Sequence, residues 1–107
     1  MKKNTTPIGP VVRERRIAIL KALAHESRML MVEALAGGAL CVCELQQLTG
    51  GDMSTVSKHL TILRNAGLVR DERRGVKVFY HLVAPCVLQI FDCLEKTREN
   101  TCQHQSK

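Results

Sequence analysis

STVSKHLTILRNAGL, residues 54–68, is the stretch that decides the fold of this 107-residue chain. Its apolar residues recur at the spacing of one helical face and must therefore point toward a core; they are Val56, Leu60 and Leu63. Ser54 is a candidate N-cap, and Gly67 can adopt the left-handed conformation that ends a helix. The pattern therefore predicts a helix from Ser54 to Ala66.

A shorter helix precedes this one, carrying Leu45 and Leu48 and closed by Gly50 and Gly51. Two short helices joined by a glycine-containing turn are typical of a helix-turn-helix, in which the second helix enters the major groove of DNA. Its polar side chains can bond phosphates or base edges, and its dipole adds positive potential at its N-terminus. The residues predicted to contact DNA are Ser54, Thr55, Ser57, Lys58, His59, Thr61 and Arg64.

A hairpin follows the predicted recognition helix. Residues 68–70 and 76–82 alternate like two strands, and Gly75 can take a positive φ in the turn between them. Basic side chains on such a wing lie along the DNA backbone or reach the minor groove. They are Arg70, Arg73, Arg74 and Lys77. The segment from Ser54 to Lys77 holds six basic and two acidic side chains, a local excess of +4.

Helices are predicted on both sides of this unit. An amphipathic helix should span residues 11–24, and a second should begin at a Ser27 cap and end before Gly37. Pro85 suits the first turn of a last helix with a broad apolar face. The predicted organisation is a flexible arm at 1–10, a winged helix-turn-helix domain at 11–96 and a polar tail at 97–107. The fold class is mainly α with a small β-hairpin.

Charge and cysteine content narrow the functional class. A net charge of +6 and an isoelectric point near 9.4 fit a polyanionic partner such as DNA. The start of the chain lacks the apolar stretch of a signal peptide, and no later stretch approaches the roughly 18 apolar residues of a membrane span. We therefore expect a cytoplasmic protein with no membrane partner. In reducing cytosol its five cysteines bind metal, react or pack rather than form disulfides.

The pair Cys41 and Cys43 is the chemically informative feature of the chain. Thiolates are soft ligands that select thiophilic ions over magnesium or calcium. On a regular helix two side chains at this spacing diverge by about 200°, so one ion is not easily held by both. We therefore expect residues 39–43 to form an extended connection or a distorted first turn. The alternative is that both cysteines are small buried hydrophobes.

Three further cysteines are candidates to complete a three-thiolate site. Cys86 and Cys93 share a helix face but are about 10.5 Å apart by helical rise, too far to hold one ion from the same helix. They fit a core or a dimer interface better. Cys102 lies in the predicted tail, near His104, where it could reach a neighbouring site or remain an unconstrained surface thiol.

The chain resembles the ArsR-SmtB family of metal-sensing repressors, and most closely its arsenite- or antimonite-responsive subgroup. The resemblance lies in LCVCEL at 40–45, STVSKHL at 54–60, AGLV at 66–69 and AHESR at 24–28. It implies a homodimer built through the first and last helices. The interface candidates on their apolar faces are Ile19, Leu20, Leu23, Leu88, Phe91 and Leu94. Arsenic-responsive relatives often carry a third cysteine where this chain has Gln46.

The resemblance implies a repressor of a metal or metalloid resistance operon that leaves its operator when Cys41 and Cys43 capture an ion. No cofactor is obligatory. As(III) or Sb(III) is the expected inducer, with cadmium, lead and zinc as alternatives. Capture would reshape the start of the third helix and so disturb the recognition helix after it; a coupling of about 1–3 kcal/mol weakens DNA binding about 5- to 150-fold.

Three other functions compete with this interpretation. A redox- or sulfide-sensing repressor on the same fold would link cysteines in pairs, although Cys-Val-Cys makes a strained ring for a disulfide. A thiol enzyme is disfavoured because the chain has no Cys-x-x-Cys motif and no strand-helix-strand pattern around the pair. A basic protein-interaction module would not need the complete helix-turn-helix and wing.

Overall fold

A computed structural model describes residues 9–105 of the chain, and the side chains of residues 9–98. Its elements, in chain order, are α1 (Pro10–Leu23), α2 (Glu26–Leu35), β1 (Leu40–Cys41), α3 (Val42–Thr49), α4 (Met53–Asn65), β2 (Val69–Arg74), β3 (Lys77–Leu82) and α5 (Cys86–Gln105). The predicted order of helices and hairpin is confirmed.

The core forms where α4 packs against the helices before it. Val56 and Leu63 are fully buried and Leu60 is 1% exposed, which confirms the inward face predicted for this helix. They join the buried residues Ala22, Leu23, Met31, Val32, Leu35, Leu45, Leu68, Val69, Tyr80 and Val87 in one cluster. Gly67 has φ +81°, so it turns the chain from α4 toward the hairpin as predicted.

The sheet has three strands in the order β1-β3-β2, all antiparallel. The first wing strand, β2, is longer than the sequence indicated, whereas β3 begins one residue later, at Lys77. The turn between them shrinks to the pair Gly75 and Val76, with φ +62° at the glycine. Arg74 pairs with Lys77 next to that turn. The polar stretch at 71–74 was expected to be loop, but exposed two-stranded ribbons tolerate polar residues on both faces.

Two helix caps differ from those predicted. His25, not Ser27, caps α2, and its Nδ1 accepts a hydrogen bond from the Ser27 backbone N–H at 3.1 Å. Asp52, not Ser54, caps α4. In both cases the capping side chain lies two or three residues before the N–H that it satisfies, so each helix begins earlier than the serine suggested.

The connection predicted at 39–43 is only partly extended. Leu40 and Cys41 form β1, opposite Tyr80 and Phe79 of β3, but Cys43 already lies in the first turn of α3. Cys41 is the N-cap of that helix, and Glu44 accepts a hydrogen bond from the Cys41 backbone N–H at 2.9 Å, as part of a capping box. This bond explains the early start of the helix.

The last helix continues to Gln105, where a polar tail was expected after residue 96. Residues 95–105 contain neither glycine nor proline, so no stop signal ends the helix where its apolar face ends. The predicted N-terminal arm falls on residues that lie outside the described part except Gly9 and Pro10, the second of which begins α1. Within the described residues, no helix has the length and apolar character needed to cross a membrane.

Candidate nucleic-acid interface

The side of α4 opposite the core carries most of the polar residues predicted to contact DNA. Ser54, Ser57, Lys58 and Thr61 are exposed on this side and follow one another at helical spacing. A shallow depression of about 340 Å³ runs along it, lined by Ser57, Lys58, Thr61 and Ile62. The fold therefore presents one continuous face of α4, as a recognition helix requires.

A carboxylate occupies the N-terminus of α4. Asp52 Oδ1 accepts hydrogen bonds from the Thr55 backbone N–H at 2.8 Å and from Ser54 Oγ at 3.0 Å. The Thr55 bonds, followed by the Ser54 bond, hold the pKa of Asp52 below its ordinary value. The sequence predicted positive potential here, but the Asp52 charge offsets the helix dipole because it lies against the same N–H groups.

Asp52→Asn is expected to raise DNA affinity. Asparagine caps a helix as well as aspartate does but brings no charge toward the phosphates. The expected gain in DNA affinity at low salt is about fivefold, because two like unit charges about 4 Å apart in water repel by about 1 kcal/mol. The gain should shrink as salt rises, because salt screens this repulsion. Fluorescence anisotropy titrations across a salt series measure it. An unchanged affinity at low salt would show that Asp52 lies away from bound DNA.

His59 lies away from the outward face of α4, so its predicted contact with DNA stays a prediction. Its ring is half-buried against His25, with ring centroids 4.5 Å apart, and its Nδ1 lies 3.2 Å from Arg28 Nη1. Arg28 also donates from Nε to the Ala22 carbonyl at 2.6 Å and from Nη2 to the Lys21 carbonyl at 3.5 Å. Arg28 therefore ties the end of α1 to the recognition helix through His59.

The environment of His59 predicts a pH dependence of stability. Burial, then His25 and Arg28, lower its pKa from 6.5, so the unfolded chain takes up this proton more readily than the folded one. The stability that neutral His59 contributes is complete above about pH 6.5 and is lost as pH falls below it. Urea unfolding from pH 8 to pH 5 should show this decline in the parent and a weaker one in His59→Gln. If the free energy of unfolding declined with pH equally in both proteins, His59 would not be the source of the pH dependence.

Two of the predicted DNA-contacting arginines are engaged within the protein. Arg64 Nη1 lies 3.6 Å from Asp71 Oδ2, which links the end of α4 to the wing. Arg74 donates to Glu72 Oε1 at 3.0 Å, and its guanidinium lies 4.4 Å from the centre of the Phe79 ring. These contacts reduce their freedom to reach phosphates.

Glu72 also contacts His81 Nε2, at 2.6 Å. The hydrogen bond from Arg74, followed by the one with His81, holds the pKa of Glu72 below its ordinary value.

The remaining basic residues predicted for the wing are exposed; they are Arg70, Arg73 and Lys77. They are the wing residues best placed for phosphates.

The predicted metal ligands differ in their surroundings. Cys41 is buried, 6% exposed, whereas Cys43, in the same turn, is exposed. Their opposite burial agrees with the divergence that helical spacing requires. Cys86 and Cys93 are exposed on α5, and the Cys102 side chain lies outside the described residues. Across the side chains that are described, no three or more His, Cys, Asp or Glu residues form a cluster suited to a metal.

An apolar groove of about 440 Å³ runs between α1 and α5. Leu20 and Leu94, which were predicted to meet a partner subunit, are exposed along it at 62% and 60%. Ile19, Leu88 and Phe91 are half-buried. Leu23 is only 3% exposed, so it belongs to the core of the protomer and has little surface left for a partner.

Sequence reasoning missed several residues that shape the interface. Asp52 stands three residues before Thr55, and Glu44 three residues after Cys41, which are the spacings of N-caps and capping boxes. Those signals could have been found. The arrangement of His25 and Arg28 around His59 could not have been found in the sequence, because 31 residues separate Arg28 from His59 and no local pattern links them.

Comparisons with known proteins agree with this geometry. Residues 25–71 match the family described as bacterial regulatory protein, arsR family. The chain is similar to the transcriptional regulator NmtR of Mycobacterium tuberculosis, with 34% identity over 90 residues that cover 84% of this chain and 75% of the relative. It is also similar to the arsenic resistance transcriptional regulator ArsR1 of Pseudomonas putida, with 39% identity over 79 residues that cover 73% of this chain and 61% of the relative.

A solved structure has the same fold. The homodimeric winged helix-turn-helix DNA-binding domain of a Mycobacterium bovis protein superposes with a TM-score of 0.73 at 26% identity, covering 88% of this chain and 87% of that chain. Sequence and structure thus point to one class of bacterial DNA-binding regulator.

Proposed function

This chain belongs to the ArsR family of bacterial regulatory proteins, and we propose that it is a homodimeric repressor that leaves its operator DNA when Cys41 and Cys43 bind a thiophilic ion. As(III) and Sb(III) are the proposed inducers, and cadmium, lead and zinc are the alternatives. The observation that carries the proposal is the position of Cys41, which is at once the cap of α3 and the strand partner of the wing residue Phe79.

The donor chemistry of the first turn of α3 fits a thiophilic ion. Cys41 and Cys43 supply two soft sulfur atoms, which such ions bind in preference to oxygen. The closed turn does not bring the two thiols together, because one is buried and the other is exposed. Binding both sulfurs to one ion therefore requires the first turn to open, so the ion favours a conformation other than the one described.

Opening this turn would disturb both DNA-contacting elements. Cys41 would give up the capping bond with Glu44, and Leu45, fully buried in the same helix, would shift against the core below α4. The pairing of Cys41 with Phe79 would also weaken, and Phe79 is the ring on which Arg74 of the wing rests. Both DNA-contacting elements would thus change together, as an allosteric release requires.

The groove between α1 and α5 supports the homodimer. Leu20, Ile90 and Leu94 leave an aliphatic surface exposed there, and burying it against a second copy would remove this surface from water. A two-fold dimer reads a pseudo-palindromic operator whose half-sites are about one helical turn of DNA, roughly 34–36 Å, apart.

Replacing the proposed ligands should abolish the response to the inducer. A mobility shift on DNA upstream of the protein's own coding sequence is expected to show arsenite weakening parent binding about 5- to 150-fold. Cys41→Ser and Cys43→Ser should bind this DNA as the parent does but ignore arsenite. Serine keeps the size of each side chain and remains a good cap at position 41. Cys86→Ser and Cys93→Ser are the matched controls and should respond like the parent.

The same assay separates the competing mechanisms. Release of both variants by arsenite would refute the proposed ligands. Release of the parent by an oxidant without any ion, with free thiols lost in pairs, would establish the redox-sensing alternative instead. A panel of antimonite, cadmium, lead and zinc ranks the inducers.

A further inference from the structure

The outward face of α4 carries an aliphatic side chain one turn beyond its lysine. Ile62 is 41% exposed and lines the same shallow depression as Lys58. A single exposed aliphatic residue needs no special explanation. Its position does, because this face is the one that the fold offers to the major groove.

The neighbours of Ile62 limit what this part of the face can recognise. Thr61 donates its hydroxyl proton to the Ser57 carbonyl at 2.9 Å, so that proton is used inside the helix. Ile62 itself has no polar atom. Among the base edges in the major groove only thymine displays an apolar group, its 5-methyl, and aliphatic side chains recognise it by contact.

We propose that Ile62 is a specificity-determining residue that contacts a thymine 5-methyl group in the operator. The proposal rests on the proposed function, since it needs α4 in the major groove, and it names a base that the helix reads. Lys58, one turn earlier on the same face, supplies the polar or ionic contact beside it. Burying one methyl group against Ile62 should strengthen binding about fourfold.

The test is a cycle between protein and DNA variants. The probe is the duplex that the parent protects in a footprint upstream of its own coding sequence, remade with each thymine replaced singly by deoxyuridine, which lacks only the methyl group. Anisotropy titrations should show the parent losing about fourfold in affinity at one thymine of a half-site and little elsewhere. Ile62→Ala should bind the unmodified duplex about fourfold more weakly and show no loss at that thymine.

A matched control separates this contact from a general loss of apolar surface. Val83→Ala removes another aliphatic side chain, 52% exposed, that lies beyond β3 rather than on α4, and it should retain the full deoxyuridine effect. Alanine is a better helix former than isoleucine, so Ile62→Ala should remain folded, with an unchanged melting temperature as the check.

Two results would overturn the inference while leaving the proposed function standing. One is a parent protein that binds its duplex specifically but is indifferent to every thymine replacement. The other is an Ile62→Ala protein that keeps the loss at the same thymine. Failure of the parent to protect any upstream DNA would instead refute the proposed function, and the inference with it.

Discussion

A Leu45→Ala protein is expected to lose about 2–5 kcal/mol of its free energy of unfolding. Leu45 is fully buried and is the residue by which α3 enters the core, so its truncation removes apolar contact and leaves a cavity. A domain of this size has about 5–15 kcal/mol of stability, so the loss is a large fraction of the total. Urea unfolding at neutral pH measures it.

Leu48→Ala is the matched control for this change. It makes the same truncation in the same helix, but Leu48 is 40% exposed and lies outside the core cluster. The expected change is below about 1 kcal/mol, because less surface is returned to water and no closed cavity forms. Equal losses in the two proteins would mean that α3 is not anchored through Leu45, and would remove one route from Cys41 to the recognition helix.

An Arg28→Met protein is expected to lose about 1.5–3 kcal/mol, the range for hydrogen bonds made by a charged group. The substitution keeps the apolar stem but removes the bonds to the Ala22 carbonyl and to His59. It should also weaken DNA binding, because the hydrogen bonds of Arg28 join the end of α1 to His59 of the recognition helix. Unfolding and DNA titration on the same protein measure both effects.

Arg64→Met provides the comparison. Arg64 makes one ion pair, with Asp71, and both side chains are nearly half exposed, at 45% and 46%. Such a pair contributes about 0–1 kcal/mol because water screens it. If Arg28→Met and Arg64→Met were destabilised equally, Arg28 would be an ordinary surface residue rather than a link between helices.

These contacts suggest how a dimer could be coupled to DNA. The α1 helix contributes to the apolar groove proposed as the dimer interface, and Arg28 bonds to the carbonyls at its end. Cys41 connects the cap of α3 to the wing through Phe79. Two sets of contacts thus join elements next to the recognition helix, and under the proposed function we expect a change in either set to alter how its outward face is presented.

Local patterns were sufficient for the five helices, the hairpin and their order, but not for the pairing of β1 with β3. The spacing of Val56, Leu60 and Leu63 predicted the inward face of α4, and Gly67 and Gly75 marked turns that the structure confirms with positive φ. The end of α5 was not predictable from hydrophobic pattern, because a helix without a stop signal continues past its apolar face.

The sequence by itself determined the winged helix-turn-helix and its basic charge, because helical periodicity, turn glycines and net charge are properties of neighbouring residues. Tertiary structure alone decided which of the polar residues predicted to contact DNA also have partners inside the protein. His59, Arg64 and Arg74 carry the right chemistry, yet each contacts a residue from another element of the fold, which is Arg28, Asp71 and Phe79 respectively. Tertiary structure likewise decided that Cys41 is buried while Cys43 is exposed. Burial and long-range partners depend on how the elements pack, which no local pattern contains.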